Sequence, residues 1–192
     1  MKKWFLVLAL IIGSLNLSAL EPITNYRVLF SPQDRLAEEL ISLIDKERKS
    51  IRIAVYCLTH RQVIKALGYA KQRGVDVQVI VDPDSVKSKM ALRQMSNPPF
   101  PIFVWDPPLQ YRELKNGKRV QKRRSLLHDK FCVFGEDRVW TGSFNFTLDG
   151  SNNHQENAIV IESKEVAKKY LANFDRLKNA STLPLTAFIA NL

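Results

Sequence analysis

The residues of this chain that are best suited to chemistry lie in one short block, from His128 to Glu156. The block holds an imidazole, an ammonium, a hydroxyl, an amide and a carboxylate, supplied by His128, Lys130, Ser143, Asn145 and Glu156. An imidazole nitrogen can attack phosphorus, and an ammonium with an amide can stabilise the charge that develops on the phosphoryl oxygens. These residue types favour the cleavage of a phosphodiester without a metal ion.

The spacing within the block strengthens this hypothesis. Lys130 lies two residues after His128, so in a strand both side chains project from the same face. Gly142 stands directly before Ser143 and permits a close approach of the backbone to a ligand. A single histidine ahead of an apolar strand is more often structural, and Gly-Ser-Phe-Asn alone is an ordinary turn. The combination of these residues in so short a stretch is what carries the prediction.

The block resembles the signature of the phospholipase D superfamily, which is His-x-Lys followed by aspartate and then Gly-Ser-x-Asn. The match is closest to the small single-motif members, typified by bacterial non-specific endonucleases. The resemblance extends over about Tyr26 to Lys178, because the stretch 50–82 is similar to the first βαβ unit of these enzymes. One position departs from the signature: Gly135 stands where the family has its aspartate, which supports the motif structurally, and Glu136 and Asp137 follow it.

The resemblance implies a mechanism and an assembly. His128 would form a phosphohistidine, Lys130 and Asn145 would hold the non-bridging oxygens, Ser143 would bond within the phosphate pocket, and Glu156 would orient His128. A second histidine must protonate the leaving oxygen, and single-motif members obtain it by forming a homodimer with the active site across the two-fold axis. No metal and no other cofactor is expected.

The order of periodic segments predicts how the block is positioned. Strands and helices alternate in the first half of the chain, which favours an α/β sheet with crossover helices. Together with the resemblance, this predicts an α/β fold with a mixed central β-sheet flanked by helices on both faces, as in phospholipase D and its nuclease relatives. Predicted strands are Tyr26–Phe30, Ile51–Leu58, Val75–Val81, Ile102–Trp105, Phe131–Phe134, Arg138–Thr141 and Asn157–Ile161. One predicted helix is capped by Asp34 and runs to about Lys49, and a second is capped by Thr59 and runs through Arg73. A short helix after Asp84 runs to about Met95, and a closing helix spans Lys164–Lys178.

The charge pattern indicates an anionic partner. A chain of 192 residues with 45% hydrophobic and 25% charged residues forms one globular domain. Its net charge of +10 favours nucleic acid or acidic lipid. Six cations gather between Lys115 and Arg124 of the basic loop or hairpin 106–124, in which Gly117 permits a turn. Because this loop leads into His128, its last cations are predicted to bind substrate: Lys122, Arg123 and Arg124.

The N-terminus and the cysteines bear on where the protein works. Residues 1–19 have a basic start, an apolar run from Trp4 to Ile12 and a small residue at Ala19, which is typical of a secretory signal. The mature domain would then span 20–192 in the periplasm or outside the cell. An uncleaved segment would instead anchor the domain to a membrane. Cys57 and Cys132 both lie in apolar runs, which slightly favours free thiols over a disulfide.

Three functions remain open on the sequence. The favoured one is a phosphodiesterase that acts as a non-specific endonuclease on DNA or RNA, because of the basic loop. The second is a phospholipase D that acts on phosphatidyl headgroups. The third is a nucleic-acid or lipid binding protein whose catalytic site has decayed, as Gly135 suggests. The apolar tail after Ser181 either packs on the domain or docks a partner.

Overall fold

The computed structural model describes residues 25–87, 99–122 and 124–191. The predicted signal segment 1–19, Arg123 and the end of the predicted helix near Met95 lie outside these ranges. Among the described residues, no helix has both the length and the apolar character needed to cross a membrane.

The domain is built on one mixed eight-stranded sheet with the order β1-β9-β8-β7-β2-β3-β4-β10. The strands β2, β3 and β4 run parallel, and the remaining neighbours pair antiparallel. A crossover helix joins β2 to β3, as the alternation of periodic segments predicts. The strands of this sheet are β1 (Tyr26–Phe30), β2 (Ser50–Val55), β3 (Asp76–Val81), β4 (Ile102–Trp105), β7 (Lys130–Phe134), β8 (Arg138–Gly142), β9 (Asn157–Glu162) and β10 (Thr182–Pro184).

Helices cover both faces of the sheet, which confirms the predicted fold class. The helices α1 (Leu36–Lys46) and α2 (Arg61–Gln72) bury their apolar faces against one side. The long helix α4 (Lys164–Ser181) covers the other side with Ala167, Phe174 and Leu177. Two shorter helices, α3 (Leu148–Asn152) and α5 (Leu185–Ala190), follow β8 and β10.

The strands that carry the site are buried because the sheet is covered on both faces. Every residue of β7 is buried, and the alternate side chains Cys132 and Phe131 enter the two separate apolar clusters. Such continuous burial explains why β7 is an unbroken apolar run apart from its first residue, Lys130. Both cysteines are free thiols, as predicted, and Cys132 is fully enclosed.

Two of the predicted helix caps are wrong. α1 begins after Arg35, and the carboxylate of Asp34 instead accepts a hydrogen bond from the backbone N–H of Phe30 at 2.8 Å. α2 begins after His60, which makes no side-chain capping bond. The predicted C-terminal stop is confirmed, because Gly74 has a φ of 91° and its N–H bonds to the carbonyl of Lys71.

The basic segment forms a hairpin outside the main sheet. Its strands β5 (Tyr111–Glu113) and β6 (Arg119–Gln121) pair only with each other, and Gly117 takes a φ of 76° in the turn. The apolar tail packs on the domain, since β10 adds to the sheet beside β4 and Leu185 of α5 is buried.

Candidate active site

The predicted residues meet at one end of the sheet. His128 comes just before β7, while Ser143 follows β8 and Glu156 precedes β9. The three strands are neighbours, and the register pairs Phe131 with Thr141 and Gly142 with Ala158. The antiparallel pairing therefore brings the start of β7, the end of β8 and the start of β9 to the same edge.

The side chain of Lys130 is hydrogen-bonded to the backbone of His128. Its side chain is only 8% exposed, and Nζ donates a hydrogen bond to the carbonyl oxygen of His128 at 2.8 Å. Burial lowers the pKa of Lys130, and the carboxylates of Asp129 and Glu156 partly oppose that shift. A buried ammonium beside two carboxylates is a suitable partner for an anionic phosphoryl group.

Tyr56 is a site residue that the sequence reasoning missed. Its ring centroid lies 5.1 Å from that of His128, and the Nζ of Lys130 lies 5.5 Å from the same ring. Its hydroxyl donates to the carboxylate of Asp84 at 3.1 Å, and its N–H bonds to the carbonyl of Asp129. The available sequence signal was its position directly after the buried strand β2, where parallel strands end.

Glu156 bonds to Ser143 in this structure, and its predicted role in orienting His128 stays a prediction. Its carboxylate accepts a short hydrogen bond from Ser143 Oγ, and its Oε1 lies 3.9 Å from Nδ1 of His154. No hydrogen bond joins Glu156 to His128 within the described part of the chain. Ser143 Oγ also accepts from the N–H of Asn157 at 3.0 Å, so Glu156 and Ser143 form one bonded unit that ties β8 to β9.

Gly142 is required for the close packing of β8 against β9. A Cβ atom at this position would lie 2.2 Å from the carbonyl oxygen of Asn157 and 2.8 Å from Cα of Ala158. Only glycine lets β8 come this close to β9, and the predicted approach of a ligand to this backbone stays a prediction. The contact sets the position of the next residue, Ser143.

Asn145 borders a cavity of about 770 Å³, which is also lined by Tyr56 and His154 but not by His128 or Lys130. The cavity lies between the turn that follows β2 and the segment around α3. Oδ1 of Asn145 is buried and has no hydrogen-bond partner among the described residues. The amide N–H groups of Asn145 are the donors that an anionic ligand would need.

The three predicted substrate-binding cations do not share one role. Lys122 is exposed at the base of the hairpin, and Arg123 lies outside the described residues. Arg124 is paired within the protein, because its guanidinium binds the fully buried Asp82 through two hydrogen bonds of 2.8 and 3.0 Å. This pairing raises the pKa of Arg124, and Asp82 also accepts from the N–H of Leu127 at 2.9 Å.

The departure from the signature lies far from the chemistry. Gly135 follows β7 at the end opposite His128, and seven residues of extended strand span about 23 Å. It occupies a turn with a φ of 56°, a conformation that favours glycine, and its N–H bonds to the carbonyl of Ser50. The missing aspartate therefore belongs to a turn at the far end of β7 from His128.

Comparison with known proteins gives a consistent group of relatives. Residues 40–178 match the family model described as "Cardiolipin synthase, PLD-like domain". The chain is 29% identical to the phospholipase D of Rickettsia conorii over 174 residues, which cover 84% of this chain and 78% of that protein.

Solved structures show the same architecture. The structure of Nuc from Salmonella typhimurium, a phospholipase D family member, has a TM-score of 0.68 and 27% identity, covering 83% of this chain and 97% of that one. NucT from Helicobacter pylori superimposes with a TM-score of 0.68 at 22% identity, covering 82% and 97% of the two chains, and so supports the fold.

Proposed function

The chain belongs to the phospholipase D superfamily, whose members are phosphodiester hydrolases, and on that basis we propose that it is an exported endonuclease that works without a metal ion. The observation that carries the choice of substrate is the exposed basic hairpin, which is joined to the strand that begins just after His128.

The first chemical step is a displacement at phosphorus by His128. A neutral imidazole nitrogen forms the N–P bond as the bond from phosphorus to the leaving oxygen breaks. Lys130 and Asn145 stabilise the charge on the non-bridging oxygens, because the ammonium of Lys130 and the amide N–H groups of Asn145 are hydrogen-bond donors. The ring of Tyr56 lies close to both the imidazole and the ammonium and would position the two groups relative to each other.

The second step needs a second histidine, and we assign it to His128 of the partner subunit in a homodimer. Its imidazolium gives a proton to the leaving oxygen, and the resulting imidazole then takes a proton from water as that water attacks phosphorus. The N–P bond breaks and the first histidine is regenerated. Ser143 and Glu156 act by fixing β8 against β9 around the phosphate, since they are bonded to each other.

Nucleic acid is favoured over lipid by the distribution of charge. The chain carries a net charge of +10, and the hairpin adds exposed cations along the approach to His128. Binding of this kind neutralises backbone phosphates, depends strongly on salt and reads little base sequence.

One purified sample tests both chemistry and substrate. We expect nicking of plasmid DNA in the presence of a chelator, loss of nicking in His128→Ala, and no release of choline or ethanolamine from phospholipid vesicles. Headgroup release without nicking would reject the nuclease assignment. Loss of nicking in the chelator would reject the metal-free mechanism.

Phospholipase D activity is the second candidate, and one observation favours it. The relative from Rickettsia conorii, which covers most of this chain, is named a phospholipase D. The same nucleophile and phosphate ligands would serve a phosphatidyl headgroup. The headgroup assay above therefore has to be run on the same preparation as the nicking assay.

Export is supported by the sequence of residues 1–19, which combines Lys2 and Lys3 with an apolar run and Ala19. Mass spectrometry of the protein recovered from expressing cells is expected to give a mature chain that starts at Leu20. A full-length chain in the membrane fraction would instead support the uncleaved anchor.

A further inference from the structure

The hairpin formed by β5 and β6 is exposed on all sides. Two further backbone bonds extend it, from Leu114 N to Lys118 O at 2.8 Å and from Lys122 N to Gln110 O at 2.7 Å. Between residues 108 and 122 only Val120 is partly buried. Two strands without a packed face are marginal in water, so a surface of this kind suits a partner that binds it.

The register assigns three cations to one face of the hairpin. Arg112 pairs with Val120 across the hairpin. Lys118 lies two residues before Val120 and Lys122 two residues after it, along the same side of the hairpin. Because side chains alternate, Lys118, Arg112 and Lys122 share a face and follow each other about 7 Å apart along the hairpin. Tyr111, Glu113 and Arg119 belong to the opposite face, where the guanidinium of Arg119 lies 5.5 Å from the ring of Tyr111.

The mixture of side chains on each face favours an anionic polymer over a bilayer. Insertion at a membrane surface requires an apolar face that is separated from a cationic one. Here the cationic row alternates with Leu114 and Val120, and Tyr111 shares its face with a cation and a carboxylate. A row of spaced cations can instead be followed by a flexible strand of phosphates.

The hairpin is also fixed relative to the nucleophile. The bonds from Arg124 and from the N–H of Leu127 to the buried Asp82 anchor the segment between Lys122 and His128. Lys122 and His128 are six positions apart in the sequence, so the two Cα atoms lie at most about 21 Å apart. The row therefore begins within a few nucleotides of a phosphate at His128.

We propose that the face of the hairpin carrying Arg112, Lys118 and Lys122 is a binding arm that holds the phosphates of a nucleic-acid strand next to the phosphate under attack. This inference rests on the proposed nuclease function and adds the face of the hairpin and the three residues that bind the strand. The opposite face, with Arg119, is not part of the arm.

The test compares two variants that lose the same charge from the two parts of the hairpin. Arg112→Ser with Lys118→Ser removes two cations of the row, and Lys115→Ser with Arg119→Ser removes one from the turn and one from the other face. Both are made in a His128→Ala background, and binding of a labelled 20-nucleotide DNA is measured by fluorescence anisotropy between 50 and 200 mM salt.

We expect the first variant to bind at least tenfold more weakly at the lower salt, with a slope of log K against log salt that is shallower by about 1.4 to 1.8. The second variant is expected to keep the slope of its parent. Thermal unfolding of both variants should match the parent, because all four side chains are exposed.

Equal losses in the two variants would overturn the proposal, since net charge alone would then explain binding. Unchanged DNA binding in the first variant, or a loss confined to anionic phosphatidylglycerol vesicles, would also overturn it. Bis(p-nitrophenyl) phosphate is too small a substrate to contact the arm. Its hydrolysis by the wild-type protein shows separately whether the proposed chemistry holds.

Discussion

At the scale of single residues, the ring of Tyr56 is the contact that His128 and Lys130 have in common. Its centroid lies 5.1 Å from that of the imidazole and 5.5 Å from the ammonium nitrogen, and its hydroxyl bonds to Asp84. Asp84 has a second strong partner in Lys87, at 2.6 Å. The ring is therefore expected to matter more than the hydroxyl.

A pair of Tyr56 variants separates these contributions. Tyr56→Phe keeps the ring and should leave kcat on bis(p-nitrophenyl) phosphate within about twofold of the wild type. Tyr56→Leu removes the ring contacts with the imidazole and the ammonium and should lower kcat about tenfold. Equal kcat values for the two variants would show that the ring does not position the site.

The buried ammonium of Lys130 should lower the free energy of unfolding, although it supports turnover. Burial lowers its pKa, so at alkaline pH the folded protein loses this proton before the unfolded chain does. The unfolded state then binds more protons, and the free energy of unfolding rises with pH in the window that ends near the ordinary lysine value of about 10.4.

The variant Lys130→Met tests whether the buried ammonium lowers stability while it supports turnover. Denaturant unfolding at a series of pH values should show that the variant lacks the alkaline rise of the wild type, while its turnover falls at least 100-fold. A variant with the same pH dependence as the wild type would mean that Lys130 is not the source of the rise.

The residues of the block could be predicted because each belongs to a local pattern, whereas their partners could not. His128 and Lys130 are two positions apart, but Tyr56 reaches them through pairing of β2 with β7. The same holds for Arg124, which looks like a free cation in sequence and finds Asp82 at a separation of 42 residues. Long-range pairs of this kind are fixed by strand order, which local spacing does not determine.

At the scale of elements, the pair of Asp82 and Arg124 joins the end of β3 to the base of the hairpin. Asp82 is fully buried and accepts four hydrogen bonds, from Arg124 twice and from the N–H groups of Asp84 and Leu127. Removing the guanidinium would leave a buried carboxylate without its counter-charge.

Arg124→Ala is expected to lower the free energy of unfolding by about 3 kcal/mol. Arg27→Ala provides the matched control, because it breaks an ion pair with Glu39 in which both side chains are exposed. Such pairs contribute about 0 to 1 kcal/mol. Urea unfolding of both variants measures the difference, and equal losses would contradict the importance of burial.

Two glycines at opposite ends of the catalytic strands make a second comparison of elements. Gly142→Ala forces a Cβ atom into the backbone of β9 and should destabilise the fold by more than about 2 kcal/mol while reducing turnover. Gly135→Asp restores the aspartate of the signature in a turn with a φ of 56°. It should cost about 1 kcal/mol and leave kcat unchanged. A change in kcat there would link the distant turn to the site.

Most element positions were predictable, since buried strands and amphipathic helices have clear periods in this sequence. The caps at Asp34 and Thr59 were predicted wrongly because a capping residue type does not reveal where the chain turns. The position of β1 in the sheet also could not be predicted from the sequence. It pairs with β9 near the end of the domain and not with β2, which follows it.

At the scale of the whole molecule, a site that uses two copies of His128 has a measurable signature. If wild-type subunits are mixed and reassociated with an equal amount of His128→Ala, only dimers with two histidines should turn over. Activity per total protein should then fall to roughly a quarter of the wild-type value, whereas independent monomers would keep roughly half. Light scattering of the same mixture reports whether the active species is a dimer.

The separation of the hairpin from the main sheet has a practical consequence. Its tip, at Asn116 and Gly117, is an exposed turn, and the bonds to Asp82 lie between it and the catalytic strand. Extra residues at an exposed turn are accommodated without disturbing the fold. An epitope, a dye site or a nucleic-acid binding peptide inserted between these two residues would therefore lie at the tip of the proposed binding arm. Such insertions would allow the nucleic-acid binding of the protein to be altered without changing the catalytic strand.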